Sequence, residues 1–150
     1  MKMKQEWRGR TVWLANGMRN SVTHARTFTR WPMENRLINP GEIFLANFPF
    51  GGSAGMKLRP VLLLTGAIGS VPEVLVAYIS SVIPATLLPT DVVLDPADSR
   101  FATTKLKIKS VLRLHKLATI HQTSLVRQLG RISQPVLQDV NNRLRDLLNL

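Results

Sequence analysis

Arg59 stands in the run Lys57-Leu58-Arg59-Pro60, directly before the apolar segment Val61-Leu62-Leu63-Leu64. A guanidinium is planar, permanently charged and well shaped for a phosphate. Ser80 and Ser81 close a second apolar segment, EVLVAYISS at 73–81, and each offers a hydroxyl that can donate and accept. Further along come Lys105, Lys107, Lys109, Arg113 and Lys116. The first three alternate with Leu106 and Ile108, so an extended chain would show three cations on one face. Cations and hydroxyls together suit the binding of an anion and the stabilisation of charge that develops on it. Other chemistries lack their residues. There is no cysteine, which removes disulfides and thiolate sites. The three histidines, His24, His115 and His121, have no metal-ligand spacing, and paired carboxylate motifs and a nucleophile elbow are both missing. The stretch GGSAGMKLR has glycines and a lysine but not the Gly-Lys-Ser/Thr end of a P-loop. His115 and His121 read as structural residues, and the sequence places neither beside Arg59.

The balance of charge points the same way. The 150 residues carry a formal net charge of +11, a field that favours a polyanion such as nucleic acid, an acidic protein or an anionic surface. Residues 1–37 hold Lys2, Lys4, Arg8, Arg10, Arg19, Arg26, Arg30 and Arg36 against Glu6 and Glu34, and all three tryptophans, Trp7, Trp13 and Trp31. No period of 2 or 3.6 runs through them, so they read as a basic, poorly ordered extension. Arginine and tryptophan there would suit an arm that grips phosphates and stacks on bases. The favoured alternative is a non-structural extension, with translation of a compact protein starting at Met33. No apolar run nears the roughly 20 residues of a membrane span, and no secretory h-region is present, so the expected location is cytoplasmic and no membrane partner is expected.

These side chains must be held by strands. GEIFLANF (41–48), RPVLLLT (59–65), EVLVAYISS (73–81), DVVLD (91–95), KSVLRLHKLATI (109–120) and RQLGRIS (127–133) read as strands, the fifth as one or two. The continuous apolar run of the second predicts burial on both faces. Pro84, Pro89 and Pro96 exclude helix from the middle of the chain. Towards the end the period changes. Val136, Leu137, Val140, Leu144, Leu147 and Leu148 form one face of a helix, with Ser133 as N-cap and Pro135 in the first turn. The fold class is therefore mainly β with a C-terminal helix, over a single domain at 38–150.

The order of segments then becomes informative. GEIFLANFPFGGSAGMKLRPVLLL joins a strand, a glycine and serine loop (Gly51, Gly52, Ser53, Gly55), Lys-x-Arg-Pro and an apolar run. AYISS ends in hydroxyl residues, and KSVLRLHKLATIHQTSLVRQLGRIS carries Leu-Ala-Thr-Ile and then Leu-Gly-x-Ile. In this order the three blocks resemble the PemK/MazF family of toxin–antitoxin toxins from about residue 40 onward. The resemblance implies a small SH3-like antiparallel barrel, usually a homodimer. It implies a metal-independent endoribonuclease that needs no cofactor, cuts single-stranded RNA at short motifs and is silenced by an acidic antitoxin. The family's functional arginine falls on Arg59. Its functional threonine falls on Ser80, which keeps the hydroxyl and loses the methyl. The position after Ile120, often acidic in relatives, is His121.

On that basis Arg59 and Ser80 are the expected catalytic residues, acting on an attack by the RNA's own 2′-hydroxyl. Lys57, Lys105, Lys107, Lys109, Arg113 and Lys116 are the expected RNA-binding residues. Gly51, Gly52, Ser53 and Gly55 form a loop expected to move over the site. The competing reading is a non-catalytic binder on the same fold: a toxin that poisons DNA gyrase, an inactive homologue, or an RNA-binding module driven by charge.

Overall fold

Val61, Leu62 and Leu63 are all fully buried, as the uninterrupted apolar run predicts. Successive strand residues point to opposite faces, so both faces of their sheet must be covered. Leu62 enters a core with Ile43, Ala77, Ile79, Leu112 and Leu114. Val61 and Leu63 enter another with Phe44, Phe48, Val74, Val76 and Ile120. The computed structural model describes residues 36–48 and 55–150, all within one unit of the chain, Pro32–Leu150. The basic extension up to residue 35, and Gly51, Gly52 and Ser53 of the glycine loop, lie outside the described residues.

Six strands form one sheet: β1 (Glu42–Phe48), β2 (Lys57–Leu63), β3 (Glu73–Ser80), β4 (Asp91–Leu94), β5 (Ser110–His121) and β6 (Leu125–Arg131). Their order is β4-β5-β3-β2-β1-β6, and every pairing is antiparallel. All six lie where the sequence predicts them. The fifth is a single strand, although its pairing with β3 jumps from Ala77↔Leu117 to Tyr78↔Arg113. Leu114, His115 and Lys116 therefore bulge out of register, and such a bulge bends the sheet.

The bend curls the sheet without closing it by hydrogen bonds, since β4 and β6 form its two ends. The segment after β4 spans the gap. It forms a 3-10 helix, Ser99–Thr104, capped by Asp98, whose side chain accepts from the Arg100 N–H. This helix was not legible in the sequence. It packs on β6, where Thr103 Oγ1 donates to the Arg131 carbonyl at 2.8 Å. A Cβ on Gly130 would sit 2.4 Å from the Thr103 oxygen and 2.5 Å from that of Thr104. Lys105 then ends the helix in the left-handed region, at φ 57°. The expectation of an extended 105–109 with three cations on one face is therefore wrong. The left-handed turn redirects the chain, and Lys109 is drawn to Asp95 at 3.2 Å.

The C-terminal helix α1 (Gln134–Leu148) buries Val140 and lays Val136, Leu137 and Leu144 on the first core. Ser133 takes the N-cap position with Pro135 beside it, but its hydroxyl makes no capping bond. Arg143 ties the helix to the loop before β4, donating to the Pro89 carbonyl at 2.7 Å. Among the described residues no helix is long and apolar enough to cross a membrane.

Gly130→Ala is expected to lower folding stability by about 1–3 kcal/mol, the usual cost of forcing an extra group into a packed site. Urea denaturation monitored by far-UV circular dichroism measures it. The effect is steric, since the obstructing atoms belong to backbone that cannot rotate away.

Candidate active site

The site begins with a missing hydrogen-bond donor. Leu64 N–H donates to the Leu75 carbonyl on the β3 side, and the Leu63 carbonyl accepts from Gly41 N–H on the β1 side. Alternation along the strand directs the N–H groups of even-numbered β2 residues towards β3 and those of odd-numbered residues towards β1. Residue 60 is the next even position at which a bond to β3 is due, opposite Ile79, and it is proline, which has no N–H. The β2–β3 pairs accordingly run Leu63↔Val76, Leu62↔Ala77, Val61↔Tyr78 and stop. Beyond that point each strand keeps only its other neighbour. Arg59 pairs with Ala46 of β1, and Ser80 pairs with Val111 of β5.

A cleft of about 500 Å³ opens where the two strands part. Arg59, Pro60, Ile79 and Ser81 line it from the sheet. Lys105 to Ile108 and Ser110 line it from the segment after the 3-10 helix, and Arg127, Gln128 and Leu129 from β6. Arg59 and Pro60 lie on opposite faces of β2 by alternation. Apolar side chains make its walls, and the four cations Arg59, Lys105, Lys107 and Arg127 surround it.

No carboxylate lines this cleft. Five acidic side chains are committed elsewhere: Asp91 to Arg113, Asp95 to Lys109, Asp98 to Arg100, Asp139 to Arg143 and Glu42 to Arg36. Among the described residues none of the four cleft cations has an ion-pair partner. Their positive charge is left for a ligand, and a groove with one sign of charge concentrates oppositely charged ligands.

A sequence profile described as PemK-like, MazF-like toxin of type II toxin–antitoxin system matches residues 39–148. The chain belongs to this family. Among solved structures it is similar to the Mycobacterium tuberculosis toxin MazF-mt6, at 25% identity and a TM-score of 0.55, over 73% of this chain and 97% of that one. It is also similar to MazF from Deinococcus radiodurans, at 19% identity and a TM-score of 0.55, over 77% of this chain and all of that one. A third is an endoribonuclease from a mycobacterial species solved in complex with its cognate antitoxin, at 17% identity and a TM-score of 0.54, over 75% and 96% of the two chains. Compared with curated proteins, the sequence gives no match.

Within this PemK/MazF-like chain the structure brings some of the expected site residues together and leaves others apart. Arg59, Lys105 and Lys107 share the cleft. Ser80 is level with Arg59 if the β2–β3 register is continued, and its side chain is nearly buried, at 9% exposure. Its Oγ accepts from the Val82 N–H at 3.1 Å, and Ser81 is the serine that lines the cleft. Lys57 is exposed on β2, opposite Phe48. Gly55 is exposed at the described end of the glycine loop. Lys109 pairs with Asp95, Lys116 lies 5.8 Å over the Tyr78 ring, and Arg113 reaches the fully buried Asp91 carboxylate at 3.3 Å.

His115 Nδ1 meets Thr90 Oγ1 at 2.9 Å, and His121 Nδ1 accepts from the Thr123 N–H at 3.2 Å. His115 is thus tied to the loop before β4 and His121 to its own turn, and neither lines the cleft. Among the described residues no three His, Asp or Glu side chains gather as metal ligands would. Sequence reasoning missed Arg127 and Gln128. Their signal was present in the alternation of RQLGRIS, but their place beside Arg59 depends on β6 pairing with β1.

The two classes of cation are expected to separate in mutagenesis. Arg113→Ala, which strips a charged hydrogen bond from buried Asp91, should cost about 1.5–3 kcal/mol of stability. Lys107→Ala should leave stability within about 0.5 kcal/mol. Chemical denaturation of both variants checks the contrast.

Proposed function

We propose that this toxin is an endoribonuclease that cuts single-stranded RNA at short motifs, with the Arg59 cleft as its active site. The observation that carries the reading is the gathering of Arg59, Lys105, Lys107 and Arg127 around one cleft with no carboxylate in its lining. Family membership supports it, as does the likeness to a structure described as an endoribonuclease.

The reaction needs no protein nucleophile. The ribose 2′-oxygen bonds to the adjacent phosphorus as its proton departs. The bond from phosphorus to the 5′-oxygen breaks, and that oxygen takes up a proton. The products are a 2′,3′-cyclic phosphate and a 5′-hydroxyl end. Arg59 meets the negative charge that grows on the non-bridging oxygens, the electrostatic contribution that is usually the largest in such reactions. Its backbone is fixed by β1, so the charge is held in place before substrate arrives. Ser80 accepts from Val82 N–H, which leaves its own O–H to donate to a non-bridging oxygen or to the 2′-oxygen. Lys105, Lys107 and Arg127 hold the flanking phosphates, and the exposed Lys57 extends that track. Lys109, Arg113 and Lys116 add their field from outside the cleft, each already engaged with a protein partner.

The same unpaired charge suits an acidic antitoxin segment, which would silence the toxin by occupying the cleft. Complexes of relatives, such as MazE-MazF from Deinococcus radiodurans, support such a partner. The active form is a homodimer acting in the cytoplasm.

Incubation of the purified protein with single-stranded RNA in EDTA tests the reading, and fragments bearing 5′-hydroxyl ends are the expected outcome. Arg59→Ala should slow cleavage by about 10²–10³-fold or more with the circular dichroism spectrum unchanged. A rate equal to wild type would remove Arg59 from the mechanism. Intact RNA together with inhibition of DNA gyrase would establish the non-catalytic alternative. Binding should weaken with salt, log K falling by about 0.7 per phosphate neutralised for each unit of log salt concentration.

Ser80→Ala is expected to slow the same assay strongly, and Ser80→Thr to preserve or raise the rate. A dead Ser80→Thr variant would show that the family's functional threonine does not fall on this position.

A further inference from the structure

Pro60 has a task that its place beside Arg59 does not by itself explain. The β2–β3 ladder is well formed through Leu62↔Ala77 and ends at Val61↔Tyr78, one position before the proline. Both strands continue past that point, β2 back to Lys57 and β3 on to Ser80. Past it Leu58 and Arg59 are still paired with β1, and Ile79 and Ser80 with β5, but the two segments are not paired with each other. An ordinary residue at 60 would aim its N–H at the Ile79 carbonyl and carry the pairing on. The ladder's extension would bring Arg59 alongside Ser80 and fill the space in which the cleft lies. We propose that Pro60 is the positioning residue that keeps the cleft open, by withholding the donor at which the pairing of β2 with β3 would next continue.

This rests on the cleft being the place where RNA is cut. The mechanism gives Pro60 no contact with reacting atoms. Its effect passes through the backbone: β1 alone holds Arg59, so the guanidinium stands at a rim and not within a closed sheet.

The test uses two variants that restore the N–H. Pro60→Val roughly keeps the apolar volume and favours a strand, and Pro60→Ala removes the ring without adding bulk. In full-length protein, the new amide at residue 60 should be protected from hydrogen exchange as strongly as those of Leu62 and Leu64. The denaturation midpoint should hold or rise. Cleavage of a single-stranded RNA oligonucleotide should lose at least tenfold in kcat/KM, mainly through KM, because a narrowed cleft denies entry. A merely structural proline would give the opposite pattern, with lower midpoints and an unprotected amide. Rapid exchange at residue 60 in both variants, a fall in both midpoints, or unchanged cleavage behind a protected amide would each overturn the proposal. The exchange measurement needs no RNA, so it fails separately from the endoribonuclease reading, which the Arg59→Ala comparison decides.

Discussion

Two backbone carbonyls, those of Thr103 and Thr104, occupy the space in which a side chain on residue 130 would begin. The rest of the arrangement follows from that contact. It lets the 3-10 helix lie directly on β6 and span the gap that the curled sheet leaves between its ends. It also fixes where the chain emerges at Lys105, in a left-handed turn that sends the next residues across the split between β2 and β3. Were the two segments held a methyl group further apart, Lys105 and Lys107 would be displaced from Arg59, and one wall of the cleft would move. Glycine at this position is a packing requirement, since its φ lies outside the left-handed region. A close-packed interior leaves little slack to absorb such a change.

The electrostatic design complements the packing. Carboxylates are spent on holding the scaffold together. Asp91 is buried, accepts from the Leu88 N–H and Arg113, and so anchors the loop before β4 to the middle of β5. Asp98 is held below the ordinary carboxylate range first by the Arg100 side chain and then by the Arg100 N–H, and Asp95 by the Ala97 N–H and then Lys109. Each of these acids lies outside the cleft and answers a cation that is also outside it. Surplus positive charge is left where the sheet opens. Gln128, the neutral polar residue of the β6 wall, is oriented by a short hydrogen bond from Arg36 and by its own bond to Glu42. The one described part of the basic extension therefore touches that wall.

The sequence disclosed what depends on local pattern. The strands were legible because apolar alternation and turn residues bound each of them, and α1 because its apolar positions return every three or four residues. Arg59 was singled out by the likeness of Lys-x-Arg-Pro and its neighbouring blocks to the family, since an arginine before a buried strand is by itself ordinary. The 3-10 helix was hidden because SRFATT carries no period long enough to show. The bulge at Leu114–Lys116 was hidden because a register jump leaves the strand's own sequence unbroken. The alternation of Lys105, Lys107 and Lys109 misled for a related reason: a single left-handed residue undoes the period on which the inference rested. Arg127 and Gln128 joined the site only through the pairing of distant strands, which no local pattern announces. Ser80 and Ser81 show the same limit on a smaller scale, since which of two neighbouring hydroxyls borders a cavity depends on the pleat.

That pairing of β1 with β6 has a consequence for how the protein comes into being. Glu42 must find Arg131, and Leu45 must find Arg127, so most of the folded domain's length separates partners lying side by side. Such non-local closure is slow compared with the making of a hairpin. During synthesis, β1, β2 and β3 can assemble as soon as they leave the ribosome, yet the cavity lacks a wall until β6 has followed them. A nascent chain can thus carry Arg59 in place while the cleft around it is still incomplete.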